Sequence, residues 1–261
     1  MPELAEVEIV RRGLETLRSA RVRNVTTSGF AKHDSALGSV GALFGDTLRR
    51  GKWLSTQLTP ESWMQIHLGM TGRLDLTLPG NTPRVLTHVH VTWIFDDGRV
   101  LRFADPRRFG RIRLRGDAFT GLDQGPEPGD PGMRDHLAKV LQRRSTPVFN
   151  VILDQSVCAG VGSYVAQEAL WRAGVAPQNV SLSVGEIDLL ADALADVVAD
   201  SLAAGGVSMR DYVHIDGTRG SMFEKLVCYG RSGDACVRCL SPLLGARIGG
   251  RGVTWCAACQ H

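Results

Sequence analysis

The sequence has no apolar run near the ~20 residues a membrane-spanning helix requires, which excludes a helical transmembrane protein. It also lacks the basic-then-apolar order of a secretory leader. Its start, MPELAEVEIV, carries acids instead, so export is not expected and a reducing cytoplasm is the expected compartment. No repeat or low-complexity tract argues for a solenoid or a disordered chain. Strong charge of one sign is missing too. A net charge of +3 is too small to argue nucleic-acid binding alone, although most basic residues are arginines, which fork onto phosphates and guanine edges. Disulfides are not expected in a reducing compartment, so the six cysteines need another explanation, and four of them crowd into the last 26 residues.

At 261 residues the chain exceeds the usual ~100–150-residue single core, and two domains are expected. After Pro2, the apolar residues Val7, Val10, Leu14 and Leu17 recur at helical spacing. Glu3, Glu6 and Glu8 stand at the amino end, where the helix dipole favours acids. From Val22 to Leu114 the pattern turns to short alternating or β-branched runs (53–58, 63–68, 89–95, 100–103), with Asp97-Gly98 marking a hairpin. This half reads as a β-sandwich or barrel. The stretch 121–132 is rich in proline and glycine and suits an ordered loop or linker. Beyond it the period is helical, including 183–204, which opens with a Ser-x-x-Glu capping box at Ser183 and Glu186 and ends at Gly205-Gly206. The expected layout is an α+β multidomain chain: a leading helix and β-domain over 1–120, a linker over 121–135, a helical domain over 136–227 and a cysteine module over 228–261.

Cys236-x2-Cys239 and Cys256-x2-Cys259, sixteen residues apart, form the knuckle-loop-knuckle pattern that brings four thiolates around one Zn²⁺. Such a site is coordinatively closed, hence structural. Between the knuckles, Arg251 sits among glycines, read either as a phosphate contact projected from a zinc-held hairpin or as a solvated turn arginine. In the β-half, His67-Leu-Gly-Met-Thr-Gly72 and Asp105-Pro-Arg-Arg-Phe-Gly110 each set a large apolar residue beside polar groups. Met70 and Phe109 are therefore either wedges that fill the gap left by an extracted base or core residues under loops. Lys52 follows Arg49-Arg50-Gly51 in a compact basic cluster, which alone is an ordinary solvated face. Cys158 and Cys228 are read as small buried hydrophobes, and His88 and His90 as polar packing or a solvated face, none with assigned chemistry.

Taken together, Pro2-Glu3-Leu4-Ala5-Glu6-Val7-Glu8, Gly51-Lys52, the two loops above, Gly125-Pro-Glu-Pro128, Asp154-Gln155 through Glu168, Cys228-Tyr-Gly-Arg231 and the knuckles resemble the formamidopyrimidine-DNA glycosylase and endonuclease VIII family. The resemblance runs from Pro2 to the last cysteine. The Met-Thr-Gly and Arg-Arg-Phe loops favour the formamidopyrimidine branch. It implies an N-terminal β-sandwich with a leading helix, and a C-terminal helix–two-turn–helix domain with a zinc-finger β-hairpin.

The resemblance further implies that Met1 is removed and that the secondary amine of Pro2 attacks C1′ of a damaged nucleotide. An α-amine, with a reference pKa of ~8, keeps a useful neutral fraction near neutrality. Glu3 is the implied acid–base residue, Glu6 supports the nucleophile, and Lys52 completes the catalytic set. Lys52, His67 and Arg251 match phosphate-binding positions; Met70, Arg107 and Phe109 match residues that enter the duplex. Gly162 and Ser163 belong to the helix–two-turn–helix turn that meets DNA phosphates. Thr218, Arg219, Gly220 and Ser221 lie where the family covers the extruded base. The chain departs from the family at Ser163, where asparagine is usual, at Tyr164 for isoleucine, at Ala5 for proline, and at Thr218 and Met222 in the covering loop.

The implied activity is a monomeric, bifunctional glycosylase and abasic-site lyase that excises oxidised purines from double-stranded DNA, with one structural zinc and no redox cofactor. Two alternatives stay open. One is the same chemistry on oxidised pyrimidines or bulkier adducts; the other is a paralogue that binds damaged DNA with little cutting.

Overall fold

The computed structural model describes residues 2–208 and 213–261, so the expected processing of Met1 lies outside the described residues. The chain divides into two compact units. One runs up to Leu122 and includes Ala204–Phe223; the other comprises Asp123–Ala203 and Glu224–His261. Among the described residues no helix is long and apolar enough to cross a membrane.

The first unit opens with α1 (Leu4–Leu14), which buries Val7, Val10 and Leu14 of the stripe read from the 3.6-residue period together with Leu4; Leu17, the last residue of that stripe, is buried in the 3₁₀ turn that follows. Two four-stranded antiparallel sheets follow. One has the order β1 (Val22–Thr27), β6 (Val89–Phe95), β7 (Val100–Ala104), β5 (Arg73–Thr77). The other has the order β2 (Thr47–Arg50), β3 (Trp53–Thr59), β4 (Ser62–His67), β8 (Arg111–Arg115). A single apolar core joins Trp93, Phe95, Leu101 and Phe103 of the first sheet to Leu54, Met64, Ile66 and Ile112 of the second, and Val7, Val10 and Leu14 of α1 reach the same core. That shared core makes the unit a sandwich. The hairpin expected at Asp97-Gly98 joins β6 to β7, with Gly98 in the left-handed region at φ +84°.

Ala204–Phe223, placed with the helical half by the sequence reading, clusters with the sandwich instead. Local bonds explain this. The Leu76 N–H donates to the Ile215 carbonyl (2.9 Å), and the Val207 N–H donates to the Glu6 carboxylate (2.7 Å).

The second unit contains α2 (Met133–Leu141), α3 (Val148–Leu153), α4 (Ser163–Ala173) and α5 (Val184–Ala203), then the hairpin β9 (Leu244–Ile248) and β10 (Arg251–Trp255). The capping box read at Ser183 and Glu186 is formed: the Ser183 N–H donates to Glu186 Oε2 (2.7 Å) and the Glu186 N–H to Ser183 Oγ (3.3 Å). The glycine-rich stretch is ordered at Gly125, where a Cβ would lie 2.5 Å from the Ser156 carbonyl oxygen, so only glycine fits against the α3–α4 connection.

Candidate functional site

At the start of α1, Pro2, Glu3 and Glu6 are all buried. Glu3 and Glu6 form a reciprocal capping box in which Glu6 Oε2 accepts the Glu3 N–H at 2.8 Å. The other oxygen, Oε1, accepts the Val207 N–H. One carboxylate therefore holds both the backbone beside Pro2 and the neck of the 204–223 segment, a link across 201 residues that no local pattern reveals. The neck closes further through Ser221 N–H to the Ala204 carbonyl (2.8 Å) and Met222 N–H to that of Gly206 (3.1 Å). Gly220 has no room for a side chain, since a Cβ would stand 2.0 Å from the Gly205 oxygen.

Beyond the neck, Thr218, Arg219 and Ser221 are exposed. The Thr218 hydroxyl bonds Asp216 Oδ1 (2.7 Å) and lies 2.8 Å from His214 Nδ1, while His214 Nε2 meets the Gly205 carbonyl at 2.6 Å. Arg84 ties this turn to the sandwich by donating to the carbonyls of Ile215 and Asp216, and it is itself held by the buried Asp75. Arg84 and Asp75 carry no motif and were missed by the sequence reading.

Lys52, only 6% exposed, follows Gly51, whose φ of +54° turns the chain between β2 and β3. Its charge reaches His67, across whose ring Trp53 packs at 4.8 Å. Burial first, then the charges of Lys52, Arg111 and Arg113, lowers the His67 pKa to about 4, so the ring is neutral near pH 7. The Gly69 N–H donates to His67 Nδ1 (3.0 Å), which puts the ring proton on Nε2. His67 is thus a neutral N–H donor.

The two motif loops are pressed together. At Gly69, with φ +66°, a Cβ would lie 2.6 Å from Gly110 N, and at Gly110 one would lie 2.6 Å from Phe103 Cζ. The fully buried Asp105 carboxylate joins them: Oδ2 accepts the Gly110 N–H (2.7 Å), and Oδ1 accepts the Thr71 hydroxyl (2.6 Å) and the Arg107 N–H (3.3 Å). Outside this clamp Met70 is 40% and Phe109 47% exposed, and the Arg107 guanidinium lies 4.8 Å from the Phe109 ring centre. Large apolar residues standing in solvent on a rigid rim are not core residues under loops. Behind the rim, His90 is buried and bonds the Asp105 carbonyl through Nε2 (3.0 Å), the polar-packing half of the two readings the sequence left open.

In the second unit α3 and α4 are joined by two turns. The Val157 and Cys158 N–H groups reach the Asp154 carbonyl, and the Gln155 side chain bonds the Gly160 N–H (3.0 Å) and the Val161 carbonyl (2.9 Å). Gly162 caps α4, and Ser163 is its first residue. Glu168, almost fully buried, accepts the N–H groups of Val227, Cys228 and Tyr229 (3.1, 2.8 and 2.8 Å), fixing the entry to the cysteine module. Cys228 is buried with its thiol pKa pushed up, by burial first and then by Glu168, which suits an inert packing residue.

The sulfur atoms of Cys236, Cys239, Cys256 and Cys259 all lie within 4.8 Å of one another, with Cys239–Cys256 at 3.4 Å and Cys236–Cys259 at 4.0 Å. Bonds of ~2.3 Å to a tetrahedral Zn²⁺ require sulfurs about 3.8 Å apart, so the four thiols fit one such ion. From this knuckle β9 and β10 extend to a tight turn with Gly249 and Gly250 both at positive φ, which sets Arg251 exposed at the start of β10.

A two-sheet unit capped by its own N-terminal helix, and a helical unit whose two-turn helix pair leads into a cysteine hairpin, have the architecture of the helix–two-turn–helix DNA glycosylases. Comparison with known proteins narrows the class. Residues 1–112 match the formamidopyrimidine-DNA glycosylase N-terminal domain and residues 124–213 its H2TH domain. Curated relatives named formamidopyrimidine-DNA glycosylase, from Xanthomonas campestris and Stenotrophomonas maltophilia, are each 38% identical with full coverage of both chains. The MutM (Fpg) crystal structure from Thermus thermophilus superposes with a TM-score of 0.89 at 32% identity, covering 99% of this chain and 98% of that one. A Lactococcus lactis Fpg variant bound to Fapy-dG DNA superposes at 0.90 with 28% identity and full coverage of both. The chain belongs to the formamidopyrimidine-DNA glycosylase family, and so to the DNA glycosylases that act on damaged DNA.

Proposed function

We propose that the protein is a monomeric, bifunctional glycosylase and abasic-site lyase that removes oxidised purines, 8-oxoguanine and formamidopyrimidines, from duplex DNA. The observation that carries this reading is the buried Pro2–Glu3–Glu6 nest, tied through Val207 to the segment taken to cover the lesion. With Met1 processed, the Pro2 nitrogen attacks C1′ and the damaged base departs with the bonding pair. Glu3 protonates the opening sugar oxygen, and Glu6 holds the backbone on which the amine sits. The resulting iminium withdraws electrons, so loss of the 2′ proton expels the 3′ phosphate. A second elimination expels the 5′ phosphate.

Lys52 and the neutral Nε2–H of His67 serve phosphates on this side, while Ser163, beside Gly162, and Arg251 serve them in the second unit. Met70 and Phe109 fill the vacated stack, Arg107 meets the orphaned partner base, and Thr218 to Ser221 cover the extruded base. A relative, MutM, has been crystallised with DNA containing carbocyclic 8-oxo-G, which supports the substrate class. Zn²⁺ is the ion that four thiolates at these separations suit, and it supplies structural support rather than chemistry.

The test is to incubate the methionine-processed protein and its Pro2→Gly variant with duplex DNA carrying 8-oxoguanine opposite cytosine, with borohydride present. Cleavage and a trapped covalent complex, both strongly reduced in the variant, are expected. Binding without trapping points to the non-cutting alternative. The internally bonded Thr218–His214 turn favours a second reading, an altered lesion choice, for which preference for thymine glycol over 8-oxoguanine is the signature.

A further inference from the structure

Gln167, on the second turn of α4, is 2% exposed and uses both ends of its amide. Its Oε1 accepts the Thr254 N–H of β10 at 2.8 Å. That bond fixes the amide's orientation, because the opposite one would set an NH2 group against a backbone N–H. Nε2 is therefore the donor side, and its two N–H groups serve three acceptors, the Gly252 carbonyl (3.2 Å), the Ser163 carbonyl (3.1 Å) and Ser163 Oγ (3.0 Å), so one of them is shared. Two consequences follow. The Ser163 hydroxyl receives a proton from Gln167 and cannot give its own back, so its O–H is left to point at an acceptor elsewhere. The strand that begins at Arg251 is bonded on both sides of Val253 to the helix that begins at Ser163.

We propose that Gln167 is a positioning residue that aligns two grips on the DNA backbone: it makes the Ser163 hydroxyl a donor toward one phosphate and locks the Arg251 strand in register with it. A phosphodiester oxygen accepts and never donates, so a hydroxyl whose lone pair is already filled from behind is matched to it. Serine is short, and holding both of its polar atoms from one buried amide compensates for reach with orientation. This inference rests on the proposed role of Ser163 and Arg251 as phosphate contacts.

The experiment uses the full-length, zinc-loaded protein and a duplex carrying a tetrahydrofuran abasic analogue, which binds without turnover. Dissociation constants are measured across a salt series for wild type, Ser163→Ala, Arg251→Ala, Gln167→Met and the Ser163→Ala/Gln167→Met double variant. Gln167→Met is expected to weaken binding about 5- to 30-fold and to lower the salt slope by about one, as loss of the charged Arg251 contact does, the neutral Ser163 hydroxyl leaving the slope unchanged. The double variant is expected to bind much as Gln167→Met does, because the two residues act as one unit. On cleavable 8-oxoguanine DNA the same variant should raise KM and leave kcat within about twofold, a split that general loosening of the fold would not give.

Binding by Gln167→Met within twofold of wild type, while Ser163→Ala and Arg251→Ala are weak, overturns the inference and leaves the phosphate reading standing. Wild-type binding by both Ser163→Ala and Arg251→Ala instead overturns the reading beneath it. Zinc content and melting temperature are recorded for each variant. If Gln167→Met loses its metal, Gln167→Glu decides by the same criteria, since it still accepts from Thr254 but offers only oxygen to Ser163 and Gly252.

Discussion

The sandwich and the cysteine hairpin present their loops by opposite means. Met70 and Phe109 stand on a rim backed by a continuous apolar core of both sheets and α1, while Arg251 stands on a hairpin whose buried cluster is little more than Trp171, Leu243, Cys228, Cys236 and Cys256. Apolar burial on that scale anchors the first, whereas in the second four cysteine sulfurs converge in place of a core of comparable size. A rigid loop therefore needs a stiff foundation of either kind. The two foundations should fail under different insults.

The largest expected effect is on the hairpin. Removing the metal with a chelator, or Cys256→Ala, should abolish protection of backbone amides in 244–255 while those of 53–67 stay protected, and should cost at least about 100-fold in affinity for abasic-analogue DNA. Hydrogen exchange on the full chain reads both regions at once; equal loss in both would break the contrast. Next is the sandwich rim. Gly69→Ala meets both a left-handed φ and backbone at 2.6 Å, and should cost about 3 kcal/mol, read as a fall in the urea midpoint at constant slope. Asp105→Ala leaves the buried Gly110 N–H without its acceptor and unclamps Thr71, for about 2–4 kcal/mol. Base extrusion, followed by 2-aminopurine fluorescence opposite the lesion, should fall more than affinity does. The reverse order would mean that the rim grips phosphates rather than entering the stack.

What could be read in advance follows the same division. The clustering of Cys236, Cys239, Cys256 and Cys259 declares itself because a metal site needs paired cysteines at short spacing, and α1 because its apolar stripe is local. The runs named from the sequence are the central strands β3, β4, β6 and β7, and none of the four edge strands stands out: β2 is four residues long and ends in Arg49-Arg50, and β5 alternates Leu74 and Leu76 with polar residues over only five positions, too short a run to separate from a loop. Contacts that bridge distant sequence left no trace. Asp105 was quoted only as the start of a motif, and its partner Thr71 lies 34 residues away; Gln167 meets Thr254 across 87; Glu6 meets Val207 across 201. Buried polar groups take partners wherever the fold delivers them, and one sequence does not record the delivery.

The smallest effect concerns His67, a neutral, preorganised donor set among the cations of the sandwich side. His67 has a folded pKa of about 4 against ~6.5 for an unperturbed ring. Between those values the unfolded chain binds a proton that the folded chain refuses, so stability should fall as pH drops from about 6.5 towards 4 and hold steady above that window. His67→Asn removes the titrating ring, and its urea midpoint should change less across the window than that of wild type. Nitrogen-detected NMR of the free protein should find the Nε2–H tautomer of His67 still present at pH 5.5, when an exposed histidine is mostly protonated. If His67 instead titrates near 6.5, the ring meets a phosphate as a cation below neutrality, and DNA affinity should then rise on acidification. A pH-independent contribution of His67 to affinity between pH 5.5 and 8 is the result expected of a neutral donor held by Gly69 and crowded by Lys52.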